Sequence, residues 1–214
     1  MDGNKVISDS PVVKLPAPRI IGSMTLEEAI AIRRSTREFI EQPLTLEIIS
    51  QLLWSVQGIT GEKGLRSVPS AGATYPLVVI AIVGTFGVNN LSPGVYRYLP
   101  ESHGLRALTS GNLMALLAEV ALGQQAIATA PVNFVIGAYY ERTRSRYRNR
   151  TERYVHMEAG HAAQNLYLQA TALGMGTAAI GAFDDEGIKE LLSLPGDFQP
   201  LYIMPVGVPS KPAF

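Results

Sequence analysis

The sequence predicts a single α+β domain. Three observations carry that reading. Strand-like apolar runs and helical periods are interspersed along the 214 residues without a regular strand–helix repeat. No linker, internal repeat or low-complexity segment separates two cores. Hydrophobic residues make up 47% of the chain and charged residues 17%. That is enough apolar material for a sizeable core and too little charge for a disordered chain.

Taken in order, residues 1–24 contain Pro11, Pro16 and Pro18 and no helical period. They read as an extended N-terminal arm, either a mobile tail or an arm around a partner subunit, ahead of a domain over 25–214. Thr25-Leu26-Glu27-Glu28 is a capping box, and Leu26, Ala29, Ile30 and Ile32 continue a helix to about Ser35. Pro43 and Thr45 open a second helix through Ile49, Leu52, Leu53 and Val56 to Gly58. Residues 58–76 form a loop punctuated by Gly and Pro.

Residues 77–83 are a continuous apolar run of buried-strand length, and residues 95–99 alternate as a second strand. Residues 112–129 read as one helix stopped by Pro131, followed by a central strand over 132–140. The longest helical pattern runs from Glu152 to Leu173 and ends at Gly174, a suitable C-cap. Its many Ala and Gly residues suit a subunit interface. A short strand or turn over 177–181, a helix over 184–192 and a strand over 201–206 complete the chain.

Composition excludes several functions. The 18 basic residues balance 18 acidic ones, so no global field draws in nucleic acid or an acidic membrane. There are no cysteines, which excludes disulfides, thiolate metal sites and a cysteine nucleophile. His103, His156 and His161 fit no metal-ligand spacing. No uncharged stretch of about 18 apolar residues occurs, and no secretory leader pattern. The expectation is a cytoplasmic protein that binds neither membrane nor nucleic acid. The low charge also hints at an oligomer that hides apolar surface.

The balance conceals local bias. Of the basic residues, 13 are Arg. Arg33-Arg34-Ser35-Thr36-Arg37 sets three guanidinium groups and two hydroxyls together. This cluster either complements a helix C-terminus or clamps a phosphate. Arg142, Arg144, Arg146, Arg148 and Arg150 alternate, which in an extended segment would put five guanidinium groups on one face. That segment is either a solvated loop or one facing a substrate or a second subunit. The dinucleotide fingerprint and the P-loop are both missing.

Four segments in order resemble the FMN-dependent nitroreductase family, over about residues 24–208. They are Arg33–Arg37, Pro69-Ser70-Ala71-Gly72-Ala73-Thr74-Tyr75-Pro76, Glu158–Tyr167 and Ala172–Gly181. Gln51–Trp54, Ser70–Pro76 and Gly160–Asn165 together are most similar to its SagB-type dehydrogenase branch. The resemblance implies a nitroreductase-like fold, a central, mostly antiparallel sheet flanked by helices. It also implies an intertwined homodimer with two FMN sites at the interface.

Carried over, Arg33, Arg34, Ser35 and Arg37 would bind the FMN phosphate and ribityl end. Pro69, Ser70, Ala71 and Gly72 would approach the isoalloxazine through their backbone, partly from the other subunit. Ile180 and Gly181 would lie near N5 and offer a main-chain N–H. Lys211 stands where many members carry basic residues that reach the phosphate. The implied reaction is ping-pong hydride or electron transfer through flavin N5, from NADH or NADPH to a small organic acceptor.

There are departures from the family pattern. Ala73 stands where many members carry Asn. Arg146-Tyr147 occupies the place of a Lys-Tyr pair associated with azoline oxidation. Arg stays protonated, so it cannot act as a base where Lys could; Tyr147 could still serve as an acid. The alternatives are an azoline dehydrogenase of a modified peptide and a non-catalytic flavin-binding module.

Overall fold

The structure, a computed structural model, describes residues 12–211. The first eleven residues of the predicted arm lie outside this range. Within it the fold is a seven-stranded sheet in the order β1-β4-β3-β2-β5-β7-β6, with every strand pairing antiparallel. The strands are β1 (Val12–Lys14), β2 (Leu77–Val83), β3 (Gly94–Leu99), β4 (Gly104–Ser110), β5 (Val132–Tyr139), β6 (Gly176–Thr177) and β7 (Phe198–Gly207). The helices are α1 (Leu26–Ile32), α2 (Leu46–Gln57), α3 (Met114–Val120), α4 (Gln125–Thr129), α5 (Glu141–Tyr147), α6 (Thr151–Ala172) and α7 (Asp185–Leu191).

The continuous apolar run of β2 follows from burial on both faces. Leu77, Val79, Ala81 and Val83 join one core with α2 and α6, while Val78, Ile80 and Ile82 join a second with α3 and α7. A strand covered on both sides has no solvent face to alternate toward. The capping box of α1 forms as expected: the Thr25 side chain accepts from Glu28 N–H, and the Glu28 side chain accepts from Thr25 N–H. The end of α6 also forms as expected. Gly174 takes φ +72, and the Met175 N–H donates to the Ala170 carbonyl at 2.8 Å.

Four expectations are corrected. First, α1 stops at Ile32 rather than Ser35, because Arg33 leaves the helix at φ −50, ψ 125 so that Ser35 can pair with Thr177. Second, the helix expected over 112–129 is two helices. Leu122 at φ +60 and Gly123 at φ +74 reverse the chain between them. Third, β4 was not expected at all, because its sequence mixes exposed and buried positions without clean alternation. Fourth, the arginine-rich segment after Tyr140 is helical rather than extended.

The described part of the arm is no mobile tail. β1 pairs with β4, the Ser50 hydroxyl donates to the Pro16 carbonyl, and Arg19 N–H donates to the Gln51 side chain.

Candidate functional site

The Arg33–Arg37 segment runs beside the turn after α6. The Thr36 N–H donates to the Thr177 carbonyl at 2.8 Å. This closeness requires glycine at 176, since a Cβ there would stand 2.6 Å from the Thr36 side chain. The buried Tyr167 of α6 joins the two segments. Its hydroxyl lies 2.9 Å from the Ser35 hydroxyl and accepts from the Ala179 N–H at 2.7 Å. The Arg33 guanidinium sits over its ring at 5.1 Å.

Arg34 folds back to cap the end of α1, donating to the carbonyls of Ala31 and Arg33. Helix capping therefore engages one arginine of the three. Arg37 is exposed and forms no hydrogen bond or ion pair among the described residues. The C-terminal segment also comes here. Ile40 N–H donates to the Val208 carbonyl and Ser210 N–H to the Glu38 carbonyl, both at 3.0 Å. Lys211 thereby lies 3.8 Å from Glu38, largely exposed.

Ile180 is buried, and both its N–H and its carbonyl bond to Ile203. Of the predicted pair, only the exposed Gly181 keeps a main-chain N–H available among the described residues.

The Pro69–Pro76 loop forms a separate cluster. Gly72 (φ +58), Ala73 (φ +54) and Tyr75 (φ +45) all occupy the left-handed region, which costs a non-glycine residue about 1–2 kcal/mol. Two arginines of α5 hold this shape: Arg142 donates to the Tyr75 carbonyl at 3.0 Å and Arg146 to the Gly72 carbonyl at 3.1 Å. A Cβ on Gly72 would lie 2.7 Å from the Tyr147 hydroxyl, so Tyr147 and Arg146 stand directly against the loop.

Beneath the loop, the Ser70 hydroxyl accepts from the Tyr75 N–H at 2.9 Å, close to Glu158 of α6. Glu158 is 3% exposed, and its Oε1 has no partner. Burial pushes its carboxyl up to about 7, with the Ser70 hydrogen bond and the Arg66 charge acting against that rise.

Sequence reading singled out neither Tyr167 nor Glu158 individually. Glu158 carried a signal: it shares the buried face of α6 with Val155, Ala159 and Ala162, where an acidic residue is out of place. Tyr167 carried none, since a tyrosine on an apolar helix face is ordinary.

The helical α5 changes the second arginine cluster. Its guanidinium groups spread around the helix: Arg142 and Arg146 turn to the loop, and Arg144 pairs with Glu141 at 2.6 Å. The buried Thr143, bonded to Thr74 at 2.9 Å, fixes which face turns inward.

Sheet register separates the two clusters within the chain. Ile180 bridges Ile203, Ile203 pairs with Val135, and Val135 pairs with Ile80. Leu77, from which the loop hangs, is three residues further along β2. That is about 10 Å along the strands and about 14 Å across them. An open cavity of about 570 Å³ lies between the arm, α2 and α6, with Trp54 on its wall, and no predicted flavin-contacting residue lines it. Among the described residues no side-chain cluster suits a metal ion. No described helix is long and apolar enough to cross a membrane.

The model of the Nitroreductase family matches residues 30–208. A protein of Methanocaldococcus jannaschii, "Putative nitroreductase MJ1384", is 44% identical over 94% of this chain and 98% of its own length. The Rhizobium leguminosarum "Trifolitoxin operon protein TfxC" is 26% identical over 88% of this chain; the match spans 57% of TfxC. Among solved structures, a Ralstonia eutropha "putative nitroreductase" superposes with a TM-score of 0.81 at 28% identity, covering 97% of this chain and 94% of the other.

Proposed function

This chain belongs to the nitroreductase family, and from that premise we propose that it is an FMN-dependent oxidoreductase working as a homodimer. It would take electrons from NADH or NADPH and pass them to a small organic acceptor. The observation that carries the reading is the Tyr167 junction. It ties Ser35 and Arg33 to the Ala179–Gly181 turn in one piece, so a phosphate cradle and a ring-facing turn share one support.

The residues present fit FMN. Arg33, Ser35 and Arg37 can hold the phosphate, with Lys211 on the adjoining segment. Gly176 lets that segment approach the turn without a clash. Gly181 can offer its N–H to the ring. The exposed Pro69 and Gly72 present backbone that a planar ring can lie against. The separation between this loop and Ile180 supports a site completed by the loop of a second copy. So does the exposure of Leu26, Ile30 and Met157.

When bound, FMN supplies reversible hydride transfer. The protein's own share is binding, orientation and charge. The Gly181 N–H and the arginines favour negative charge, while neutral Glu158 can hold a proton beneath the loop.

The test is direct. Purified protein should show a flavin absorption spectrum or quench the fluorescence of added FMN, and anaerobic NADH or NADPH should bleach it. Failure to bind FMN removes the proposal. Binding without reduction by either nicotinamide leaves a flavin-binding module.

Azoline dehydrogenation is a second reading, favoured by Tyr147 standing against the Gly72 loop. It predicts loss of two hydrogens from a thiazoline- or oxazoline-containing peptide, read by mass spectrometry. Arg146 donates to the Gly72 carbonyl and acts there as a brace rather than a base.

A further inference from the structure

A second concentration of arginine lies between β2 and β3. The ladder joining these strands runs from Val83–Gly94 to Ile80–Arg97. Beyond it, Leu77–Val79 continue with β5 and Tyr98–Leu99 with β4. The strands part there, leaving a cavity of about 80 Å³ lined by Arg66, Arg97, Arg142, Gln57 and Glu101, among others. Three guanidinium groups face one carboxylate, and Glu101 is 71% exposed at 3.4 Å from Arg66.

The donors are not used up. Arg66 donates one bond to the Gln57 side-chain oxygen. The Gln57 amide nitrogen is then left buried, on the cavity wall, with no partner. The Arg97 guanidinium makes no hydrogen bond or ion pair among the described residues. It lies directly across β3–β4 from another arginine, Arg106. Burial, and then the Arg97 and Arg66 charges, hold the Arg142 guanidinium below its ordinary value. Three like charges set against one mostly exposed carboxylate oppose folding, and a buried amide left unpaired adds its own cost. One bound dianion would relieve both.

We propose that this cavity binds a tetrahedral oxyanion, either free phosphate or the terminal phosphoryl group of a larger ligand, separately from the Arg33–Arg37 cradle. The volume suits one such head group, since a water molecule claims about 30 Å³ of liquid. Guanidinium groups supply the planar paired donors that phosphate oxygens accept. Because Arg142 also braces the Tyr75 carbonyl, occupancy would stiffen the Pro69–Pro76 loop.

The test titrates inorganic phosphate, and in a second arm glycerol 3-phosphate, into purified protein with excess FMN. Ionic strength is held constant with chloride, and binding heat and melting temperature are read. Phosphate should bind and raise the melting temperature. Binding of phosphate alone identifies the free ion; binding of both identifies a phosphoryl terminus. R97Q should weaken binding about tenfold, the effect of losing one charge-assisted contact. Without phosphate its melting temperature should hold or rise, because a repelling charge is gone. The R33Q/R37Q variant should bind phosphate as the parent does, whether or not FMN binds. Absence of binding at millimolar phosphate overturns the proposal. So does binding lost in R33Q/R37Q but kept in R97Q, which would place the anion in the other cradle.

Discussion

Two groups of arginines, alike in the sequence, do opposite work. In the Arg33–Arg37 segment, Arg33 lies over a tyrosine ring and Arg37 stands exposed. Neither guanidinium donates a hydrogen bond among the described residues. In α5, Arg142 and Arg146 donate to the carbonyls of Tyr75 and Gly72 within the chain itself. Arg33 and Arg37 keep unused donors, whereas Arg142 and Arg146 hold a loop in left-handed geometry. A run of basic residues therefore says little about binding until the partners of each guanidinium are known. In the denser run, after Tyr140, two arginines serve as braces.

The sharpest way to break this contrast is a pair of double variants. Arg33→Ala/Arg37→Ala should weaken FMN binding by about two orders of magnitude or more, at about 1.5–3 kcal/mol for each charge-assisted contact. Its apo melting temperature should barely move. Arg142→Ala/Arg146→Ala should do the reverse, lowering the melting temperature while leaving the phosphate contacts of FMN in place. Fluorescence titration and calorimetry on both proteins read the outcome. Equal FMN affinity in the two would sink the division of labour.

Next in size is the carboxyl under the braced loop. Folding raises the Glu158 pKa from 4.5 to about 7, so the folded state holds a proton that the unfolded state has released. Stability should therefore fall as pH rises from about 4.5 through 7, by roughly 3 kcal/mol in all. Glu158→Gln removes this slope while keeping the side chain's size and polarity. Between pH 5 and 8 the wild-type melting temperature should fall relative to the variant's. Parallel profiles would mean that Glu158 does not titrate as described.

The same contrast shows what the sequence could convey. The α+β class, the two-sided burial of β2 and the length of α6 were legible because period and apolar content are set locally. The candidate site segments, Arg33–Arg37 and Pro69–Gly72, were nameable by resemblance alone. What bound those segments to the fold was not. Tyr167 reaches Ser35 across 132 positions of sequence, and no local pattern marks that pairing. The alternating arginines misled because alternation alone is no evidence for a strand. Glu141 at i−3 from Arg144 and the inward-facing Thr143 favoured a helical turn instead.

A smaller effect belongs to Gly72, on the braced side. At φ +58, alanine there should cost about 1–2 kcal/mol from backbone geometry alone, apart from displacing Tyr147 and Arg146. The variant should bind FMN phosphate normally yet reduce more slowly if Tyr147 or the loop backbone helps seat the ring. Stopped-flow reduction against FMN affinity separates the two.

The smallest effect expected is at Lys211, on the ligand-facing side. Its partner Glu38 is 3.8 Å away, and both side chains are mostly exposed. Exposed pairs contribute at most about 1 kcal/mol and often nothing measurable, so Lys211→Ala should leave stability unchanged. The two segments stay joined by backbone bonds at Ile40 and Ser210 that the substitution does not touch. Any loss of FMN affinity then reports a direct or water-bridged approach to the phosphate, and it should shrink as salt rises. If Lys211→Ala lowers the melting temperature but leaves FMN affinity intact at low salt, the lysine belongs with the braces, and the cradle consists of the Arg33–Arg37 segment alone.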